Sequence, residues 1–555
     1  RLLLPFDPGA LPAGETTLIC RLLDGERLVA ETRASLRRLP PKPYQVKIDQ
    51  LSRGLLVDGL PLLPFGMYAK WTATDVAEEE APYGFTHLAP YRGPAAFITD
   101  EASRAAVIAA LDRYAALGIK IHYDVRHLTT GEPTAETWAR LKTEVEAVRD
   151  HPALLCYYLA DEPELQGIPP ERLAKAYQFI RALDPYHPCT QVFANRSKAP
   201  DYLAGMDIIM ADPYPIPRQP VTEVALATQQ MEATTGQALP LWIVPQMFGG
   251  GEWWEREPSP QEERVMTYLA LIHGATGIQY FIRERAHVRP LPLLLNEVRA
   301  LAAEAAELSP ALLSRLPRPA VRGGSAEVHA AAWRTAEGIY VLAANTANRP
   351  LPLELTVEGA PEGKAEVLFE HREVVVSEGV VSDLIDAFGS RAYRLPLAPG
   401  DSAGLLPRNL SRNASFEEQH VTGSPDGYYL GGQPDAGAQV RVDSRLAVHG
   451  RHSLRVVVPA EGKGYNLSPF PIRLREGQEY EISVHARGLQ PGGKLSLWLG
   501  ELSPKQAEFT LTTEWQRFSV RARASKDNPR GALSYRLTSP GTAWLDLWQV
   551  VPLNP

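Results

Sequence analysis

The 555-residue chain has only three cysteines, Cys20, Cys156 and Cys189, at spacings that fit neither a zinc knuckle nor a disulfide framework. Two of them lie in apolar runs, where a thiol behaves as a small hydrophobe. No apolar run approaches the ~20 residues of a membrane-spanning helix. Excess positive charge is also missing. The 57 Lys and Arg against 65 Asp and Glu leave a net charge of -8 at pH 7, which gives a nucleic acid no field to bind and suits a neutral partner better. No strand-like run is followed by a glycine-rich dinucleotide turn, and neither a His-x-His pair nor a His-Glu-x-x-His helix occurs. These absences argue against a nicotinamide site and a metal-dependent barrel hydrolase. Arg1-Leu2-Leu3-Leu4-Pro5 is too short for a signal-peptide core; the expectation is an exported protein, secreted or periplasmic, whose leader has been removed.

What is present divides into four segments. Residues 1–60 alternate short apolar runs with Gly, Pro and Asp turns, as in Thr17–Gly25, and read as part of an N-terminal β-sandwich. Residues 61–315 alternate apolar strands with amphipathic helices. The strands are predicted at Leu63–Lys70, Phe85–Tyr91, Ile119–Val125, Leu154–Glu162, Gln191–Asn195, Ile208–Tyr214, Leu241–Phe248 and Gly277–Ile282. Eight such units over about 250 residues predict a (β/α)8 TIM barrel. Period-two patterning returns over residues 316–400, a second β-sandwich. After a Pro-Gly-Asp-Ser linker at Pro399–Gly404, residues 401–555 read as a further all-β module.

In such a barrel the working side chains project from the C-terminal strand ends. The fourth strand ends Tyr157-Tyr158-Leu159-Ala160-Asp161-Glu162-Pro163. Of two adjacent acids at a strand end, only one faces the mouth, and an Asp-Glu pair there also serves often as a helix cap. The sequence Asp161-Glu162-Pro163 resembles the Asn/Asp-Glu-Pro signature of clan A glycoside hydrolases, and the likeness extends through His151–Leu155, Ile208–Pro215 and His273–Phe281. The resemblance implies that Glu162 is the general acid/base of a glycosidase acting on an oligo- or polysaccharide, with no cofactor for catalysis. It also implies a nucleophilic Glu at the end of the seventh strand, where this chain has Gln246. An amide cannot attack an anomeric carbon. Three readings follow: the second carboxylate comes from another strand, Gln246 replaces a Glu, or the barrel is a degenerate scaffold that binds glycan without cleaving it.

Glycoside hydrolysis needs that second carboxylate, and the candidates are Asp212, then Glu284, then Glu252. Strand-end acids also pair with Arg, and Arg283 and Arg285 flank Glu284. Sugar contacts are expected from Tyr68, Lys70, Tyr123, Asp161, Asn195, Tyr214, Gln246, Trp253 and Trp254. Trp71, Tyr91, His122, Asp124 and Arg126 lie nearby. Aromatic rings stack on pyranose faces while polar groups take the hydroxyls. The run Gly249-Gly250-Gly251-Glu252-Trp253-Trp254 has the character of a lid.

In the last segment, Asn413-Ala414-Ser415-Phe416-Glu417, Pro425–Tyr429, His452–Val456, Gly477–Ser483 and Trp544-Leu545-Asp546 together resemble jelly-roll carbohydrate-binding modules. That resemblance implies a structural calcium held by Glu417 and Asp546 through oxygen ligands.

Overall fold

The computed structural model describes residues 14–553, apart from 26, 71–73, 251–253, 285–289, 336–337, 371, 397–408, 412, 418–423, 426, 430–437, 451, 463 and 470. Trp71, Glu252, Trp253, Arg285 and the linker at 399–404 lie outside the described residues.

The chain forms two compact units, Arg1–Gln45 and Val46–Pro555. The described part of the first is one antiparallel hairpin, Gly14–Asp24 with Arg27–Arg38. The stretch read as a single sandwich to residue 60 is therefore divided. Its second part, Val46–Ile48, Leu55–Val57 and Leu60–Leu62, makes a three-stranded sheet belonging to the second unit. Val46 and Leu55 join the apolar cluster inside the barrel, and Val46 N–H donates to Tyr186 just before the fifth barrel strand. This small sheet closes the N-terminal end of the barrel.

The barrel strands are β1 Phe65–Lys70, β2 His87–Tyr91, β3 Lys120–Asp124, β4 Leu154–Asp161, β5 Cys189–Phe193, β6 Ile208–Ala211, β7 Leu241–Ile243 and β8 Gly277–Tyr280. All neighbours are parallel, and β8 pairs with β1 to close the ring. Every strand predicted from the sequence is present, most with trimmed ends, while β5 begins two residues earlier than Gln191 and stops at Phe193. Both faces of a parallel strand are covered, which explains why β4 is apolar along nearly its whole length. The helices begin with sequence-coded caps. Ser259 and Glu262 form a capping box for Pro260–Ile272, and Asp100 with Ser103 caps Glu101–Ala116.

Inside the barrel, two glycines make room for large rings. A Cβ on Gly277 would come within 2.5 Å of Trp242, and one on Gly66 within 2.2 Å of the His87 carbonyl. The space is filled by a buried polar layer. His87 Nε2 and His122 Nδ1 each lie 2.9 Å from Gln279 Oε1, and His122 Nε2 lies 2.6 Å from Thr190 Oγ1.

After the barrel, Val321 to Leu395 form an eight-stranded antiparallel sheet. Trp333, Tyr340, Leu342 and Ala392 of this sheet share the barrel's core cluster, while Val341, Leu353 and Val381 belong to a separate one. The C-terminal module has a five-stranded and a six-stranded antiparallel sheet around its own core. No helix among the described residues is long and apolar enough to cross a membrane.

Candidate active site at the barrel mouth

Side-chain alternation sorts the candidates. On β3, His122 and Asp124 point inward and Tyr123 outward, where its hydroxyl donates to Glu144 at 2.5 Å and its ring lies 4.5 Å from the Arg92 guanidinium. Tyr123, expected at the substrate, is a fully buried strut between barrel and helix. Gln246 is also corrected. Its Nε2 donates to the carbonyls of Ile216 and Phe248 at 2.9 and 3.1 Å, and its Oε1 accepts from Ile216 N–H at 3.0 Å. With 0% exposure it braces the loop after β6, and both of its amide hydrogens are used there.

Glu162 follows β4 with φ of 43°, the left-handed region that a side-chain-bearing residue seldom adopts. A residue before proline prefers the extended region, so this conformation is doubly unfavourable for Glu162. Its N–H donates to Val192 of β5, and its carbonyl accepts from Leu165 and Gln166, so hydrogen bonds on both sides hold this unfavourable backbone. The result aims Glu162 at Asp212, just beyond β6, and the two side chains share a hydrogen bond. Burial pushes the Asp212 carboxyl well above the usual carboxylate range, and the charges of Glu162, Asp161 and Glu164 add to the effect. The Oδ1 of Asp212 is enclosed and has no partner.

Asp161 is fixed by three donors: Tyr158 at 2.6 Å, Arg126 at 2.6 Å and Tyr91 at 3.3 Å. Arg126 also forks onto Asp124 with both contacts at 3.0 Å, and its guanidinium lies 4.2 Å from the centre of the Tyr91 ring. Tyr68 stacks on Tyr91 at 5.0 Å between ring centres. Phe281 joins these rings, 5.7 Å from Tyr68 and 6.1 Å from Tyr91, to a further group. Tyr214 packs against Phe248, Trp254 and Phe281 at 5.1, 5.6 and 5.8 Å, and Trp254 Nε1 donates to the Tyr214 carbonyl at 2.9 Å. At the rim, Lys70 pairs with Glu284 at 3.1 Å; the sequence had offered arginines for that role. Asn195 is exposed after β5, where its N–H donates to Glu164 at 2.7 Å and its Oδ1 accepts from Ser197.

The mouth thus brings together Glu162, Asp212, Asp161, Tyr68, Tyr214 and Trp254. Sequence reasoning missed Tyr158, Phe248, Phe281 and Glu164. The alternation that makes Cys156 and Tyr158 inward on β4 pointed to Tyr158; nothing local marked Glu164, whose burial depends on the loop after β5. Burial raises the Glu164 carboxyl, and its Oε2 has no partner.

In the C-terminal module, Asp546 accepts from the N–H groups of Val448, His449 and Leu547 at 2.6, 2.9 and 2.7 Å. Glu417 accepts from His452 N–H and lies 3.0 Å from its Nδ1.

Fold and mouth define a (β/α)8-barrel protein with an acidic centre walled by aromatic rings. The sequence matches no protein-family model, and comparison with curated proteins gives no match. Among solved structures, the chain is similar to a GH42 β-galactosidase from G. stearothermophilus, at 10% identity and a TM-score of 0.44 over 60% of this chain and 98% of that one. It is also similar to a family 39 glycoside hydrolase from Bacteroides cellulosilyticus, at 13% identity and a TM-score of 0.40 over 69% and 88%. A Bacteroides uniformis β-glucuronidase aligns over 97% of this chain and 70% of its own, at 10% identity and a TM-score of 0.34. The barrel itself is established by its strand pairing, independently of these alignments.

Proposed function

We infer that the barrel mouth is a glycosidase active site that hydrolyses O-glycosidic bonds of an oligo- or polysaccharide, with Glu162 and Asp212 as its two carboxyl groups. The observation that carries this reading is their hydrogen-bonded contact at the centre of an aromatic-walled mouth. Two carboxyl groups in contact cannot both ionise readily, so the pair holds one proton at neutral pH. Asp212, the carboxyl raised by burial, holds that proton at rest and passes it across the shared hydrogen bond to Glu162, which gives it to the departing sugar oxygen as the glycosidic C–O bond breaks. Asp212, left ionised, supports the oxocarbenium-like centre, and water completes the exchange, returning a proton to the pair. Retaining enzymes hold their two carboxyl groups ~5–5.5 Å apart and inverting ones ~6.5–9.5 Å, so a sugar bond seated between Glu162 and Asp212 has to break their hydrogen bond. Asp161, held by three donors, is placed to take a sugar hydroxyl.

Gln246 favours a second reading, a barrel that binds glycan without cleaving it, because the seventh strand supplies a brace where an acid is expected. A panel of natural and aryl glycosides separates the two. The glycosidase reading expects turnover, and expects Glu162→Gln to reduce it by about 10²–10⁴-fold on natural substrates and less on activated aryl glycosides. Sugar binding with no turnover of any glycoside would establish the scaffold reading.

The C-terminal module fits a carbohydrate-binding role. Trp498 ends Lys494–Trp498 in the five-stranded sheet with 49% of its surface exposed, a ring available for stacking. Calcium belongs to the same reading. Burial, with the charge of Glu417 adding, pushes Asp546 up to about 8; a divalent cation relieves two acids held together in this way. Among the described residues no group of three His, Cys, Asp or Glu is arranged to hold a metal, and His452 already lies against Glu417, so the other ligands would be backbone carbonyls. Chelation should lower the melting temperature of the module's transition and added calcium restore it; an unchanged melt removes the metal.

A further inference from the structure

The outer face of the six-stranded sheet carries an arrangement that the barrel chemistry does not use. Along Glu479–Gly488, Tyr480, Ile482, Val484 and Ala486 belong to the module's core, so Glu481, Ser483, His485 and Arg487 face outward. Strand pairing sets Arg441 opposite Arg455, Arg455 opposite Trp544, and Trp544 opposite Arg487. Three arginines and one tryptophan therefore stand in a single row across four adjacent strands.

Such a row is unfavourable by itself, because like charges directly opposite one another destabilise a sheet. The guanidinium carbons of Arg455 and Arg487 lie 5.9 and 6.0 Å from the centre of the Trp544 ring, which they help to bury completely. Cation–π attraction offsets only part of the cost. The acids on this face are engaged elsewhere: Asp443 takes Arg445 at 2.7 Å and the Trp544 indole N–H at 3.1 Å, and Glu481 takes Arg517 at 2.8 Å. Among the described residues Arg441, Arg455 and Arg487 have no ion pair, and Arg455 Nε, Arg487 Nε, His485 Nδ1 and Ser483 Oγ are buried with no hydrogen-bond partner. Burial, with Arg445 and Arg441 near one guanidinium and Arg315 near the other, disfavours both charges, although Asp443 and Glu514 work the other way. Buried donors and positive charge without an acceptor call for an anion.

We propose that this face binds an acidic polysaccharide, its carboxylate or sulfate groups set against the row of Arg441, Arg455 and Arg487. Strands lie ~4.8 Å apart, so the row spans roughly 14 Å, the reach of several sugar units and more than a single small ion occupies. Each guanidinium fork matches two oxygens of one group. A nucleic acid suits the face poorly, because Trp544 shows no surface for base stacking. The choice of a saccharide over other polyanions rests on the glycosidase reading of the barrel; the oxyanion site does not.

Affinity electrophoresis of the full chain tests the proposal, with polygalacturonate, dextran sulfate, neutral dextran and a single-stranded DNA oligonucleotide as probes. The two acidic polysaccharides distinguish carboxylate from sulfate. Retardation by at least one of them and not by neutral dextran is expected, with apparent Kd raised about tenfold by Arg455→Gln combined with Arg487→Gln. Arg441→Gln, at an exposed position, should weaken binding a few-fold and keeps the result readable if the double variant fails to fold. The proposal is overturned by unchanged retardation of all the variants, by DNA binding as tight and as arginine-dependent, or by full competition from inorganic sulfate at equal charge concentration. Because binding is read without turnover, a barrel that cleaves nothing would remove the glycosidase reading and leave this site to stand or fall on its own.

Discussion

The barrel holds two polar layers whose chemistry is opposite. The inner layer joins His87, His122, Gln279 and Thr190 through hydrogen bonds among uncharged groups, and burial lowers the two imidazoles to about 4 and about 3. At the mouth, Asp161, Glu162, Glu164 and Asp212 stand close enough for their charges to act on one another, and burial with like charge raises Asp212. The inner layer has come to rest: each imidazole has partners and neither needs a proton. The mouth has not, since it keeps two acids in contact and a left-handed backbone at Glu162. Strain and crowded charge of this kind collect where a fold is used, and neutral networks collect where it is only held together.

The largest effect that tests this contrast comes from Asp212→Asn. Turnover of natural glycosides should fall about 10²–10⁴-fold, while the protein becomes more stable at pH 7. The sign follows from linkage. A carboxyl whose folded pKa is raised contributes its full stability below the unfolded value of 3.8, and that contribution is lost as pH rises. An amide needs no proton, so the variant should melt about 2–4 °C higher at neutral pH, with the gap closing toward pH 4. A lower melting temperature at pH 7 would put Asp212 with the resting layer.

A smaller effect is expected from the inner layer. His87 and His122 are depressed below their ordinary 6.5, so the unfolded chain takes up protons that the folded chain refuses between pH 6.5 and about 4. Stability should fall through that window by up to ~1.4 kcal/mol per pH unit for each imidazole. Urea melts at pH 7, 6 and 5 measure the slope, and His122→Asn should flatten it whatever it does to the absolute stability. An unchanged slope in that variant would mean that the acid sensitivity arises elsewhere.

The same contrast explains what the sequence disclosed. All eight barrel strands were legible because each is a short apolar run between helical patterns, and Glu162 was legible because its motif is contiguous. Asp212 was reachable as a strand-end acid, but its contact with Glu162 spans 50 residues and depends on β5 lying between their strands. Tyr123 was misplaced by counting nearness to a strand end before the alternation that turns it away from the axis. Gln246 was found where an acid was expected, but its bonds to the Ile216 and Phe248 backbone are set by loop geometry that no local pattern encodes. The break at Gln45 was missed because strand patterning does not tell which sheet a strand joins.

The smallest effect concerns Glu284, the other acid offered as a catalytic partner. Its carboxylate lies 3.1 Å from Lys70 Nζ, and the two side chains are 30% and 43% exposed. Water screens such a pair, which is worth ~0–1 kcal/mol, and nothing around it resembles the enclosure of Asp212. Glu284→Gln should therefore change kcat by less than about threefold, with any larger effect appearing in KM through the freed Lys70. Lys70→Met should change KM in the same direction if the pair only lines the entrance. Loss of turnover in Glu284→Gln, with Asp212→Asn still active, would place the second carboxylate at the eighth strand. The acids at the centre of the mouth would then be the brace, and the rim would hold the chemistry.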